Sequence, residues 1–313
     1  MRLDDTPESD NVEDRRDDGP AQPGGFGGGG FGGGGFNLPI GGGGMSVVGL
    51  LVVVGIALFM GVDPSALLGG GGSTQAPPQY QQPRQAQPSQ QTQRSGGRDD
   101  EMRHFVGRVL GSTEEVWREQ LPAQVNTQYR EPTLVLFSSQ VNSACGFASA
   151  ASGPFYCPND QKVYIDLSFY DMLKSRFRAP GDFAQAYVIG HEVGHHVQRL
   201  LGILAKVDAR KRQVSESEAN ALQVRVELQA DCFAGAWAFH ANRKRAILEP
   251  GDVDEALTAA AAIGDDTLQR QSRGVVRPET FTHGSSAQRQ RWFKRGLQSG
   301  SLRDCDTFTA REL

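Results

Sequence analysis

Apolar and polar positions divide the chain unevenly. From Met45 to Val62 no charge interrupts a run of apolar and small side chains, and after Met102 apolar residues recur with helical or strand spacing. Met102, Phe105, Val106 and Val109 predict a helix, and the Ser-x-x-Glu spacing of Ser112 and Glu115 predicts the start of another. Thr133 to Phe137, bounded by Pro132 and Ser138, predicts a buried strand. Val163 to Tyr170 alternates like a strand with one covered face, whose edge could take an extended peptide by backbone hydrogen bonds. Phe183, Ala186, Tyr187, Val193, Val197 and Leu200 then follow a roughly helical period, with Asp182 as N-cap and Gly202 as stop. A charged connector through Lys206, Arg210, Lys211 and Arg212 reads as a solvated face. Ser215 and Glu218 form a capping box ahead of a long helix from Ala219 to about Asn242. Asp252 and Glu255 open an Ala-rich helix to Gly264, and Ser285 and Gln288 open a last one through Trp292, Phe293 and Leu297. The fold class is α+β, mainly helical with a small sheet.

Composition sharpens the division. Residues 1–18 carry eight acidic side chains against Arg2, Arg15 and Arg16, residues 24–44 are Gly-Gly-Phe repeats, and residues 73–98 are rich in Gln, Pro and Ser. Such segments cannot bury enough apolar surface to fold alone. The expected organisation is a disordered acidic and Gly-rich tail over 1–44, a transmembrane helix over 45–62, a Gly/Gln/Pro linker over 63–98, and one folded domain over 99–313. The apolar run is at the short end of what spans a bilayer. No basic region abuts it, so it reads as an uncleaved single-pass anchor and not as a signal peptide. No Lys or Arg lies close enough on either side to orient it. A net charge of -4 over 313 residues gives no electrostatic footprint for nucleic acid. All four cysteines follow the apolar run, with no C-x-x-C spacing. Three pairings are open; the local one, Cys145 with Cys157 and Cys232 with Cys305, is expected and places the domain in an oxidising space outside the cytoplasm.

Chemistry concentrates in Gly190-His-Glu-Val-Gly-His-His196. On a helix, His191 and His195 stand one turn apart and can offer two imidazole nitrogens to one zinc ion. Glu192 lies about 100° round the helix from His191, where a general base for an attacking water belongs. A catalytic site needs a third protein ligand. The metzincin arrangement is excluded, because Gln198 and Leu201 stand where it requires Gly and His. Glu227 and Asp231, one turn apart on the long helix, have no Lys or Arg at i+4 to explain them as a surface pair. Glu227 is therefore the expected third ligand and Asp231 the acceptor that orients a ligand histidine. Gly190 and Gly194 on one helix and Ala230, Ala234 and Ala238 on the other offer a seam of small residues for close approach. His283, or Arg289 beyond it, is a candidate donor to an oxyanion. His104, His196 and His240 receive no role.

Several segments occur together in order: Glu8-Ser-Asp-Asn-Val-Glu-Asp-Arg-Arg16, the apolar run, Gly153-Pro-Phe-Tyr-Cys-Pro158, the histidine motif, Glu227-Leu-Gln-Ala-Asp-Cys-Phe-Ala-Gly235, Phe281-Thr-His-Gly-Ser285 and Cys305-Asp-Thr-Phe308. This set resembles the bacterial neutral zinc metallopeptidases with an N-terminal membrane anchor. The resemblance implies a zincin-like domain, a Zn2+ cofactor, a peptide or protein substrate, and a Glu-x-x-x-Asp pair at Glu227 and Asp231. More distantly, Thr282-His283 with Arg289 is similar to a Thr-His-Pro-Pro segment and following arginine in other membrane peptidases, although Gly284 and Ser285 replace the prolines here. The rival reading is a membrane-tethered scaffold in which zinc has no catalytic part.

Overall fold

A computed structural model describes residues 1–18 and 90–313 of the chain. The apolar run 45–62, the Gly-Phe repeats and most of the linker lie outside the described residues. No described helix is long and apolar enough to cross a membrane.

The described chain begins with strand β1 (Val12–Asp14) and resumes in helix α1 (Gln90–Val125). Strands β2 (Thr133–Phe137), β3 (Gln140–Ser143), β4 (Gly146–Ser149), β5 (Phe155–Cys157) and β6 (Lys162–Asp166) follow. The remainder is helical: α2 (Ser168–Ser175), α3 (Asp182–Leu200), α4 (Ile203–Lys211), α5 (Glu216–Arg245), α6 (Asp252–Ala262), α7 (Asp265–Arg273) and α8 (Ser286–Ser299).

The sheet runs β1-β2-β6-β5, with β1, β2 and β6 parallel and β5 antiparallel on the outside. Leu134, Leu136, Val163 and Ile165 face the helical core. Val135, Phe137 and Tyr164 face the other way, under the β3–β4 hairpin with Val141 and Ala148. Both faces being covered explains why Thr133–Phe137 is apolar throughout and does not alternate. A disulfide between Cys145 and Cys157 ties the hairpin to β5.

Three expectations are corrected here. The strand expected over Val163 to Tyr170 stops at Asp166, whose carboxylate accepts from Ser139 N (2.7 Å) and Ser168 N (2.9 Å) and turns the chain into α2. It is also an inner strand, between β2 and the outer strand β5, and the edges of the sheet are β1 and β5. Second, Met102 to Val125 is one helix. Ser112 is buried in its middle and accepts from Trp237 Nε1 (3.1 Å), and Thr113 Oγ1 donates to Leu110 O (2.7 Å), so neither is free to cap. Third, Asp182 lies inside the first turn of α3. Gly181 precedes it at φ 121°, and Glu255 accepts from the Phe183 amide (3.1 Å) in place of a cap. The connector with Lys206 to Arg212 is largely the helix α4, with Arg210 and Lys211 in its last turn. The capping boxes at Ser215 and Ser285 open α5 and α8.

The largest departure is at the N-terminus, where disorder is expected. Residues 1–18 are packed onto the domain. Leu3 and Thr6 are buried, β1 pairs with β2 from Val12↔Leu134 to Asp14↔Leu136, and Ser9 and Asn11 donate to the buried Glu114 carboxylate (2.6 and 2.8 Å). Lys162 Nζ lies 2.8 Å from Glu13, and the Met1 nitrogen donates to both Asp182 oxygens (2.7 Å each). Of the acidic residues that suggested disorder, Glu8, Glu13 and Asp14 meet partners supplied by distant elements: His104 and Arg108, Lys162, and Arg103.

Candidate metal centre

Helices α3 and α5 cross at the small-residue seam. A side chain on Gly190 would meet Trp237 at 2.8 Å and Ala234 at 3.5 Å, and one on Gly194 would meet the Ala230 carbonyl at 2.9 Å. Only residues lacking a Cβ allow this approach, and it brings the His191 face of α3 within reach of the short Glu227 side chain on α5.

Both histidines converge on one carboxylate oxygen. Glu227 Oε2 lies 3.2 Å from His191 Nε2 and 3.5 Å from His195 Nε2, and Glu227 Oε1 accepts from Gln223 Nε2 (2.7 Å). The opposite ring nitrogens are also engaged. His191 Nδ1 donates to Asp231 Oδ1 (2.8 Å), and His195 Nδ1 donates to Gln198 Oε1 (2.9 Å). With a proton held at Nδ1 in each ring, a ring that gives up its second proton presents its Nε2 lone pair toward Glu227. One donor atom from each of His191, His195 and Glu227 lies within 4.8 Å of the others. Tetrahedral zinc with ligand bonds of about 2.0–2.1 Å spaces its donors by about 3.3 Å, and the two distances to Glu227 bracket that value. The donor set therefore fits a zinc ion.

The electrostatics favour a cation in the same place. Burial alone would push the Glu227 carboxyl up, but His195 and His191 beside it hold it well below the usual carboxylate range. Burial opposes charge on His191 too, yet Asp231 and Glu227 outweigh it and raise its pKa to about 10. Asp182, Asp252 and Glu255 also converge, but there the positive charge is the Met1 nitrogen, 2.7 Å from Asp182 and 3.4 Å from Asp252.

Arg289 is not where a donor to substrate would stand. It is 2 % exposed, and its Nε and Nη2 each donate to Asp231 at 2.9 Å. Nη2 also meets the Tyr187 hydroxyl (3.2 Å), which itself donates to Asp231 Oδ1 (2.6 Å). Burial works against the Asp231 charge, but Arg289 and His191 outweigh it and hold the carboxyl at about 2. The guanidinium is thus spent behind the ligand shell, securing the acceptor of His191. The sequence placed it with the oxyanion donors because spacing along α8 cannot tell which side of the site the helix presents.

His283 does stand near the centre. It and Glu227 perturb one another's ionisation, and its ring is 22 % exposed. Asp265 anchors it by accepting from the amides of Thr282 (2.7 Å), His283 (2.6 Å) and Gly284 (3.0 Å), with His283 Nδ1 at 3.2 Å. Burial opposes its protonation, but Asp265 more than offsets this and raises its pKa. Glu192 is 8 % exposed and follows His191 on α3.

Tyr187, Gln198, Gln223 and Asp265 escaped the sequence reading. Gln198 is fully buried, donating to Val226 O (2.7 Å) and Gln229 Oε1 (3.1 Å), while Gln229 donates to Cys305 O (3.0 Å). That chain ends at the Cys232–Cys305 disulfide, which fixes the C-terminal segment against α5. Gln198 sits at i+3 from His195, the one local signal that could have marked it. His196, given no role, is a strut. Its Nε2 donates to Arg130 O (2.5 Å), and Tyr156 of β5 donates to its Nδ1 (3.0 Å). Burial pushes its pKa down to about 4, so the ring is neutral and holds the edge strand to α3.

A family model described as "Putative neutral zinc metallopeptidase" matches residues 1–308. The uncharacterized protein YpfJ of Escherichia coli (strain K12) is 47% identical over 308 residues, covering 98% of this chain and 99% of its own. The uncharacterized protein Rv2575 of Mycobacterium tuberculosis (strain ATCC 25618 / H37Rv) is 46% identical over 212 residues, 64% of this chain and 69% of its own. No solved structure matches. The match takes in the N-terminal strand and α8 as well as α3 and α5, the two helices that bring His191, His195 and Glu227 together, and the chain belongs to that family.

Proposed function

We propose that this chain is a membrane-tethered zinc endopeptidase whose metal is held by His191, His195 and Glu227. The observation that carries the reading is the convergence of both Nε2 atoms on Glu227 Oε2 while each Nδ1 is held by its own acceptor. Zinc held there would supply Lewis acidity toward a scissile carbonyl and toward water. The chain's own residues do the rest. Glu192 takes a proton from the attacking water and passes it to the leaving amine. His283, anchored by Asp265, donates to the carbonyl oxygen as charge develops on it. Arg289 and Asp231 keep His191 in one tautomer and orientation.

The substrate is a peptide or protein lying along β5, the outer strand, whose partner β6 covers only one of its edges. Tyr156 and His196 lock that strand to α3. The apolar run 45–62 supplies the contact with the bilayer. Its two disulfides support a place for the domain outside the cytoplasm.

Glu192→Gln tests the mechanism. The variant keeps its zinc, measured by atomic emission, and loses roughly 10²–10⁴-fold in peptide hydrolysis, the usual contribution of a general base. Unchanged turnover with zinc bound sinks Glu192 as the general base, whereas zinc bound by the unsubstituted protein with no peptide hydrolysis leaves a non-catalytic metal site. For the third ligand, Glu227→Ala loses zinc; if Asp231→Ala loses it while Glu227→Ala retains it, the assignment fails.

A further inference from the structure

Residues 1–18 contribute nothing to the metal centre, yet the domain is built to receive them. Gly107 and Gly111, one turn apart on α1, form a seat for the backbone of residues 7–9. Ser9 N donates to Gly107 O (3.0 Å), and a side chain on Gly111 would collide with the Pro7 carbonyl. Leu134 N donates to Asn11 O (2.8 Å), and Arg15 N donates to Leu136 O (2.8 Å). Glu114, 4 % exposed, takes hydrogen bonds from Ser9 and Asn11, with Arg118 more distant at 3.5 Å. Without the segment, β2 would present unpaired backbone groups and Glu114 a poorly satisfied buried carboxylate.

The far end of the segment is held to α1 as well: Arg103, well inside that helix, lies 3.6 Å from Asp14, and Arg16 and Met102 line one cleft. Between Asp18 and Gln90 the sequence has one apolar run long enough to cross a bilayer, Met45 to Val62. A single crossing there would put residues 1–18 on the opposite face from the domain whose sheet they extend.

We infer that residues 1–18 and the metallopeptidase domain occupy the same face of the membrane, so that the chain makes no net crossing between Asp18 and Gln90. This stands in place of the single-pass topology that the length and flanks of the run 45–62 suggest. The inference rests on the membrane contact of the proposed function, though not on catalysis or on which face the domain occupies.

The test places one thiol at a time on exposed positions of the full-length protein, Asp10→Cys in the N-terminal segment and Gln298→Cys in α8. A membrane-impermeant maleimide is applied to intact spheroplasts and to inverted vesicles. Both thiols are expected to label in the same preparation, with spheroplast-to-vesicle ratios agreeing within about twofold. Reciprocal labelling, one thiol from each side, overturns the inference. Labelling of both thiols only in inverted vesicles supports the shared face while removing the placement outside the cytoplasm, so the two readings fail separately.

Discussion

Arg289→Met exchanges a guanidinium for an apolar chain of similar length in a site from which water is excluded. Asp231 has no exposed surface and Arg289 only 2 %. The substitution removes both guanidinium bonds to the carboxylate, each 2.9 Å, leaving the Tyr187 hydroxyl at 2.6 Å and His191 Nδ1 at 2.8 Å. Removing one partner of a buried pair costs about 3–5 kcal/mol, because the other charge stays desolvated. At roughly 2–4 °C per kcal/mol for a domain of this size, the melting temperature should fall by about 6–20 °C. Circular dichroism melts of purified full-length protein, with and without chelator, measure this. Adding Asp231→Asn to Arg289→Met removes the stranded charge, so the double variant should melt above Arg289→Met alone. A loss below about 1 kcal/mol for Arg289→Met, or strictly additive losses in the double variant, would refute the assignment of Arg289 as the buried counter-ion.

Gln198→Ala takes away the acceptor of His195 Nδ1 and should weaken zinc binding by about 10–100-fold, read by competition with a chromogenic chelator. Gly194→Val drives a branched side chain into the Ala230 backbone; it should cost at least about 1–3 kcal/mol and release zinc by widening the seam, and a variant with native melting and full zinc would contradict the close approach. Asp265 gives a pH dependence. Burial raises its carboxyl, but His283 and the backbone amides more than offset this and hold it below its ordinary value of 3.8. The unfolded chain thus takes up the proton first. The group's contribution is complete above the ordinary value and is lost as pH falls through that value toward the lower folded one. Asp265→Asn should flatten the acid limb of stability below about pH 4, and an unchanged limb would dissociate Asp265 from it.

Much of the centre was legible because its signals are local. The spacing of His191 and His195, the capping boxes at Ser215 and Ser285, and the one-turn separation of Glu227 and Asp231 are properties of single helices, and α-helical geometry converts spacing into direction. The small residues at Gly190, Gly194, Ala230 and Ala234 also marked a close helix crossing, since absent side chains leave few other uses for a stripe on a buried face. Ser112 and Glu115 have the spacing of a cap, but a cap requires the chain to leave helical geometry, and the buried hydrogen bond from Trp237 to Ser112 keeps it helical.

What the sequence determined by itself was the pair of histidines one turn apart, the helix that carries them and the carboxylate on a second helix that could join them in holding a metal. Tertiary structure decided which side of the centre each remaining group serves. It drew Arg289 behind Asp231, put Gln198 on His195, placed β5 and not β6 at the edge of the sheet, and set Glu8, Glu13 and Asp14 of the N-terminal segment against His104 and Arg108, Lys162, and Arg103. Composition counts charges without their partners. A segment with eight acidic residues reads as solvated until the fold supplies cations and amides, and those come from elements far along the chain whose proximity no local pattern encodes.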